Sequence, residues 1–233
     1  MSVFLEFCDE TPDRIFDKFD IDVIRINNKY AMESAFGAID NSVAYEAGES
    51  QPVSEKKSWL KSMAERIGRL IRDFCEMLKN MFSPQDHVNL ENYLKSADGK
   101  DQFDYDLIGV QNGVDAEVRK GRKLIQAISK GTHVDDKTVE TFVDNAAKVV
   151  QKYAVPAVIS VGAIKMFNAF EANSKKINNE MQEAANEGDR VTDSSGKEKI
   201  HKIYNSMVGL VKDGLKARKI CMRQARLAAN SGK

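Results

Sequence analysis

The chain has 233 residues, 30% of them charged, and a formal net charge of zero. This length allows one or two domains, and the balanced charge excludes a global attraction to nucleic acid. Three widely spaced cysteines without a C-x-x-C pair exclude a disulfide framework and a cysteine zinc site, which indicates a reducing compartment.

Residues 1–52 form an acidic N-terminal segment that ends in a linker. Residues 1–50 carry 11 acidic and 4 basic side chains. A threonine followed by a proline predicts a short helix over residues 12–19. The β-branched residues of 21–26 leave room for a small two-stranded element, and the glycine and proline of 47–52 are typical of a linker.

Residues 53–82 contain the clearest amphipathic helix. Its apolar side chains recur every three or four residues and therefore lie on one face. They are Trp59, Met63, Ile67, Leu70, Ile71, Phe74, Leu78 and Met81. The other face is mostly basic, which is also typical of a helix on a membrane surface, but acidic residues among the basic ones favour packing in a bundle. Ser83-Pro84 predicts the start of another helix.

The turn signals Asp98-Gly99 and Asn112-Gly113 predict a connection over residues 97–114, which contains one short strand or an extended crossing segment. A helix is then expected to begin at Asp115, run to about Lys130 and end at Gly131. The last helix follows a Ser-Ser-Gly sequence and extends to about Ala229.

Between them lies the longest helical pattern, which opens at Asp135 and Asp136 and continues to Asn186. Pro156 should kink this pattern or split it into two helices. Its apolar middle, residues 153–170, could be a buried bundle helix or a membrane contact. Because lysines flank and interrupt this run, burial is the preferred interpretation.

Together these elements predict an all-α protein of about five or six helices with a small irregular N-terminal region. The hydrophobic stripes of successive helices require one another for burial. The expected domains are therefore an acidic N-terminal segment with its linker over 1–52 and a helical bundle domain over 53–233.

The C-terminal end is strongly basic, since residues 197–233 carry 10 basic and 2 acidic side chains. These cations could contact DNA phosphates or an acidic partner, pair with the acidic N-terminal segment, or interact with the helix dipole. The candidate contact residues are Lys212, Lys216, Arg218, Lys219, Arg223 and Arg226.

No motif of catalysis or metal binding is present. His87, His133 and His201 lie far apart in no metal-ligand pattern, and no serine stands in a Gly-x-Ser-x-Gly elbow. We therefore predict no enzyme, no catalytic residue, no cofactor and no metal. Function by assembly or contact is expected, with an enzyme of unrecognised site as a distant alternative.

Residues 31–82 resemble helical virion proteins of tailed bacteriophages in the order of a helical piece, a glutamate-containing linker and a basic helix. Many phage head proteins are cut after a small or apolar residue, any residue and a glutamate. Ala44-Tyr45-Glu46 and Ala47-Gly48-Glu49 are similar to that motif, although alanine replaces the preferred leucine or isoleucine. The resemblance implies cleavage after Glu46 or Glu49 and removal of the acidic segment.

The expected function is accordingly that of a phage virion structural or internal head protein, made in the host cytoplasm and located in the virion. Its expected partners are other virion proteins or further copies of itself, with DNA contact through the basic C-terminal helix. The alternative is a peripheral membrane-associated helical protein.

Overall fold

The computed structural model describes residues 14–31, 58–81, 88, 92, 102–103, 107–152, 157–158 and 170–231, and the side chains of the last helix up to Ile220. Within these residues the protein is a bundle of six helices, with one short pair of strands. The predicted all-α bundle is therefore confirmed. The helix predicted after Ser83-Pro84 lies almost entirely outside the described residues.

The first helix, α1, includes residues 14–31. It is longer than the helix predicted over 12–19, and the β-branched residues 21–26, for which strands were considered, are helical. The prediction was wrong because β-branched side chains disfavour helices only weakly, and packing overrides that preference. Helix α1 contributes buried side chains to the same core as the other helices and so packs as part of the bundle.

The amphipathic helix predicted over 53–82 is α2, Trp59–Met81. Its predicted apolar stripe forms one wall of the core, with Met63, Ile67 and Phe74 fully buried. Ser58 caps the helix by accepting a hydrogen bond from the backbone N–H of Lys61 at 3.1 Å. The apolar side chains of this stripe therefore pack against other helices of the bundle.

The third helix, α3, extends over Leu107–Ser129. The predicted start at Asp115 was wrong, because Val110 and Val114 continue the buried face of the helix one and two turns earlier. The expected short strand exists as β1, Gln102–Phe103, which pairs antiparallel with β2, Ala157–Val158.

The end of α3 agrees with the prediction. Gly131 has a φ of 76°, and its N–H donates to the carbonyl of Ile128 at 2.9 Å. The next helix, α4, is Asp136–Lys152. Its cap is Asp135, which accepts a hydrogen bond from the backbone N–H of Thr138 at 2.6 Å and whose pKa is lowered by Thr138.

The long pattern predicted from residue 135 to 186 is split, as Pro156 suggested. After β2 the chain forms α5, Phe170–Gly188, and then α6, Ser194–Ser231. Only two residues of the apolar run 153–170 before Phe170 are described, and these form β2 rather than a helix. In the part of the chain that the structure describes, no helix is long and apolar enough to cross a membrane.

Helices α3, α4, α5 and α6 pack around a common core, and α2 lies mainly against α5. The centre of this core is fully buried and mixes large aliphatic and aromatic side chains. It includes Ile125, Met181, Ile200, Ile203, Tyr204 and Met207. The Tyr204 hydroxyl donates to the carbonyl of Met181 at 3.2 Å, and burial raises its pKa.

Candidate assembly surface

Helix α1 covers an apolar surface formed by α2 and α6. Its inner face buries Phe16, Phe19 and Ile26, each no more than 9% exposed. The ring of Phe16 lies 6.1 Å from that of Phe74 on α2, in a tilted arrangement. These three side chains would lose most of their burial if α1 left the bundle.

Polar contacts tie α1 to α2 along the same interface. The Arg66 guanidinium donates to Asp22 Oδ2 at 2.7 Å, and these side chains are 30% and 13% exposed. Trp59 Nε1 donates to Asn27 Oδ1 at 2.9 Å. Because each contact joins a different turn of the two antiparallel helices, the register of α1 on α2 is well defined.

Helix α1, which lies in the acidic N-terminal segment, also contacts the basic last helix. Lys212 Nζ forms an ion pair with Asp20, and Lys216 Nζ lies 5.8 Å from the centre of the Phe16 ring. The opposite charges of the two ends of the chain are therefore partly satisfied within the molecule, which was one of the alternatives open from the sequence. We call the covered surface the α1 seat. It comprises Trp59, Ser62, Arg66 and Phe74 of α2 with Lys212 and Lys216 of α6.

The outer face of α1 carries two large apolar side chains, Ile21 and Ile24, which are 51% and 58% exposed. They lie three residues apart and so stand next to each other on the helix. A crevice of about 40 Å³ separates part of α1 from α2 beside Phe19 and Leu70. Helix α1 therefore presents one apolar face to the bundle and a smaller one outward.

The six cations predicted as DNA or acidic-partner contacts do not form one free surface. Lys216 is exposed, and Lys219 is half-buried. Lys212 is only 18% exposed and is paired with Asp20. The side chains of Arg223 and Arg226 lie outside the described residues.

The prediction for Arg218 was wrong, because this side chain is 2% exposed. Its guanidinium donates to Gln111 Oε1 and lies 4.0 Å from the centre of the Phe170 ring. Gln111 in turn donates to Asp115 Oδ1 at 3.0 Å. Arg218 therefore stabilises the junction of α3, α5 and α6 and is unavailable to a DNA phosphate.

Asp115 is half-buried at the edge of this cluster. Burial raises the pKa of its carboxyl group, against the hydrogen bond from Gln111 and the positive charges of Arg119, Lys176 and Arg218. The periodicity of the sequence could have indicated that Arg218 faces inward, since Leu215 follows Val211 by four residues and Arg218 follows Leu215 by three. Its charge led to the opposite interpretation.

A second feature, not predicted from the sequence, is a cleft of about 870 Å³ where α2 begins and α5 ends. One wall is formed by the rings of Trp59 and His201, whose centres lie 4.5 Å apart with their planes tilted by 39°. Opposite them, Ser58 Oγ donates to Asp189 Oδ2 at 2.6 Å, and Lys61 pairs with the same carboxylate. Ser58, Lys61 and Asp189 are thus bound to one another at this side of the cleft.

The imidazole of His201 should titrate below its usual range. Burial lowers its pKa from 6.5, with a further contribution from Lys197, while Asp189 acts in the opposite direction. We expect the fluorescence of Trp59, the single tryptophan, to change with pH at a midpoint below 6.5. The unfolded chain takes up this proton at a higher pH, so the free energy of unfolding should fall as pH drops through 6.5.

Both effects are measured by a fluorescence titration and by urea unfolding between pH 7 and pH 5. His201→Gln is the control, because it should abolish the fluorescence transition and reduce the pH dependence of unfolding. A midpoint at or above 6.5 would contradict the partial desolvation of this ring at the cleft.

The predicted cleavage residues Glu46 and Glu49 lie outside the described residues. On either side of them in the sequence, Tyr30 of α1 and Ser62 of α2 have their hydroxyl oxygens 3.5 Å apart. Among the described residues, no group of three or more histidine, cysteine, aspartate or glutamate side chains could hold a metal ion.

Comparisons with protein-family models, with curated proteins and with solved structures give no match.

Proposed function

We propose that this chain is a structural protein of a tailed-phage particle, that it works by protein–protein contacts, and that it is matured by cleavage after Glu46 or Glu49. The observation that supports this most directly is the way α1 covers an apolar and basic surface. The motifs similar to maturation sites fall in the segment that joins α1 to the rest of the bundle.

Cleavage there would convert α1 from a tethered helix into one held by non-covalent contacts alone. If α1 then left, Phe74 would lose its contact with the Phe16 ring, and Arg66 and Lys212 would lose their contacts with Asp22 and Asp20. Apolar surface next to cationic groups is the composition of a protein–protein contact that selects acidic partners. The α1 seat is thus the surface that maturation would make available to other virion components.

The charge of the chain would change in the same step. Residues 1–49 carry 11 acidic and 4 basic side chains in a chain of zero net charge, so the remainder would have a formal charge of +7. This gain favours acidic partners, packaged DNA included. Contact with DNA would then involve the cations of the α1 seat and of α6 other than Arg218.

The decisive experiment is the intact mass of the protein recovered from purified precursor and mature particles. We expect the full-length mass in precursors and a mass that lacks residues 1–46 or 1–49 in mature particles. The double variant E46Q/E49Q is the matched control, and its protein should stay at full length. A full-length mass in mature particles, or absence of the protein from both particle types, would overturn the proposal.

A further inference from the structure

The connection between α1 and α2 is longer than their arrangement requires. The two helices are antiparallel neighbours whose facing ends touch, with Asn27 bonded to Trp59 and Tyr30 beside Ser62. Residues 32–57, 26 in number, join them. Antiparallel helices in bundles are usually joined by roughly 2–8 residues. A segment of this length is unnecessary for a hairpin that closes only on itself.

The contacts that hold α1 do not depend on its being part of the same molecule. They are made by the side chains of Phe16, Asp20, Asp22 and Asn27 with the α1 seat. An identical α1 from another copy would meet the same partners at the same distances. The connection of about 26 residues could extend to roughly 90 Å, which is enough to reach the seat of a neighbouring molecule.

We propose that, in the precursor particle, α1 of one copy occupies the α1 seat of a second copy. Such an exchange creates few new contacts and costs little, because each copy recovers the interface that it gives up. It competes with the intramolecular arrangement when the concentration of protein approaches the effective concentration set by the connection, on the order of millimolar. This inference rests on the proposed function, since a packed particle provides that concentration.

If α1 is exchanged between copies, cleavage after Glu46 or Glu49 separates the copies from one another. Each exchanged copy is joined to its neighbour through residues 32–57, so that the α1 helices connect the copies into a network or a closed dimer. A cut after Glu46 or Glu49 would break every such connection at once. The copies would be linked before maturation and separable after it, while the bundle formed by α2 to α6 need not rearrange.

The Asp22–Arg66 pair allows a direct test with the full-length chain. In Asp22→Arg alone, two cations face each other within a molecule, and in Arg66→Asp alone, two carboxylates do. When the two variants exchange their first helices with each other, the introduced arginine meets the introduced aspartate, and the native pair forms at the other seat. We therefore expect heterodimers in an equal mixture, measured by native mass spectrometry with one variant isotopically labelled.

The matched control reverses an exposed ion pair away from the seat, with Glu198→Lys and Lys202→Glu as the two variants. The mixture of seat variants should contain at least about tenfold more heterodimer than the control mixture, equivalent to about 1.4 kcal/mol. The double variant D22R/R66D, which restores the pair within one molecule, should form no more dimer than the wild type.

A mixture of seat variants with no more heterodimer than the control mixture would overturn the exchange. That result would leave the proposed virion function intact, because the particle mass experiment measures location and cleavage independently. Conversely, heterodimers from a protein that is absent from particles would support exchange and exclude the virion role.

Discussion

Arg218→Ala should lower the free energy of unfolding by about 3 kcal/mol, the cost typical of truncating one partner of a buried charged network. The guanidinium packs on the Phe170 ring and donates to Gln111, and the Arg218 side chain is only 2% exposed. Truncation leaves a cavity at the junction of α3, α5 and α6. It also removes the guanidinium that donates a hydrogen bond to Gln111 Oε1. Urea unfolding followed by far-ultraviolet circular dichroism measures the change.

Two further variants separate charge from packing. Arg218→Met keeps most of the aliphatic stem, so it should destabilise less than alanine. Lys202→Ala, on an exposed turn of the same helix, should leave the midpoint unchanged. If Arg218→Ala unfolds at the wild-type midpoint, the burial of this arginine is refuted, and Arg218 returns to the set of candidate DNA contacts.

Arg218 also shows where sequence reasoning reached its limit. Periodicity correctly placed the apolar face of α2, the glycine end of α3 and the aspartate cap of α4, since each of these depends on neighbours within one or two turns. Whether a cation on a helix faces solvent depends on which helix packs against it. Phe170 and Gln111, which make the inward position of Arg218 favourable, are 48 and 107 residues away in the sequence.

The same reason explains the errors at α1 and α3. The β-branched residues of α1 and the Asn112-Gly113 turn signal in α3 are local preferences, each worth about 1 kcal/mol or less per residue. Burial of Phe16 and Phe19 in α1, and of Val110 and Val114 in α3, outweighs them. Such burial becomes visible only when the partner helices are known.

For the candidate site, the sequence indicated which charged residues are present but not which of them are in contact. The acidic start and basic end of the chain were evident from composition, and their pairing was one of several alternatives. The structure identifies two carboxylates of α1, Asp20 and Asp22, with their partners Lys212 and Arg66. It also shows the ring contact between Trp59 and His201, for which the sequence carries no signal, because these residues are 142 positions apart.

Gly121→Val should destabilise the protein by about 3 kcal/mol, at the upper end of the cost of overpacking a filled core. Gly121 lies where α3 crosses α4 and α6, and a Cβ atom there would stand 2.7 Å from Met207 Sδ and 2.8 Å from Phe142 Cζ. Both neighbours are at most 1% exposed, so they have little room to move away. The gain in helix propensity over glycine, a few tenths of a kcal/mol, is too small to compensate.

The matched control is Gly209→Val on α6, where a Cβ atom would meet no other atom within 4 Å. The same change of residue is therefore expected to leave stability within about 0.5 kcal/mol of the wild type or to raise it slightly, through helix propensity alone. Thermal unfolding of both variants separates close helix packing from backbone preference. Equal effects at the two glycines would mean that α3 does not approach α4 and α6 as closely as described. The described packing of the core would then be contradicted.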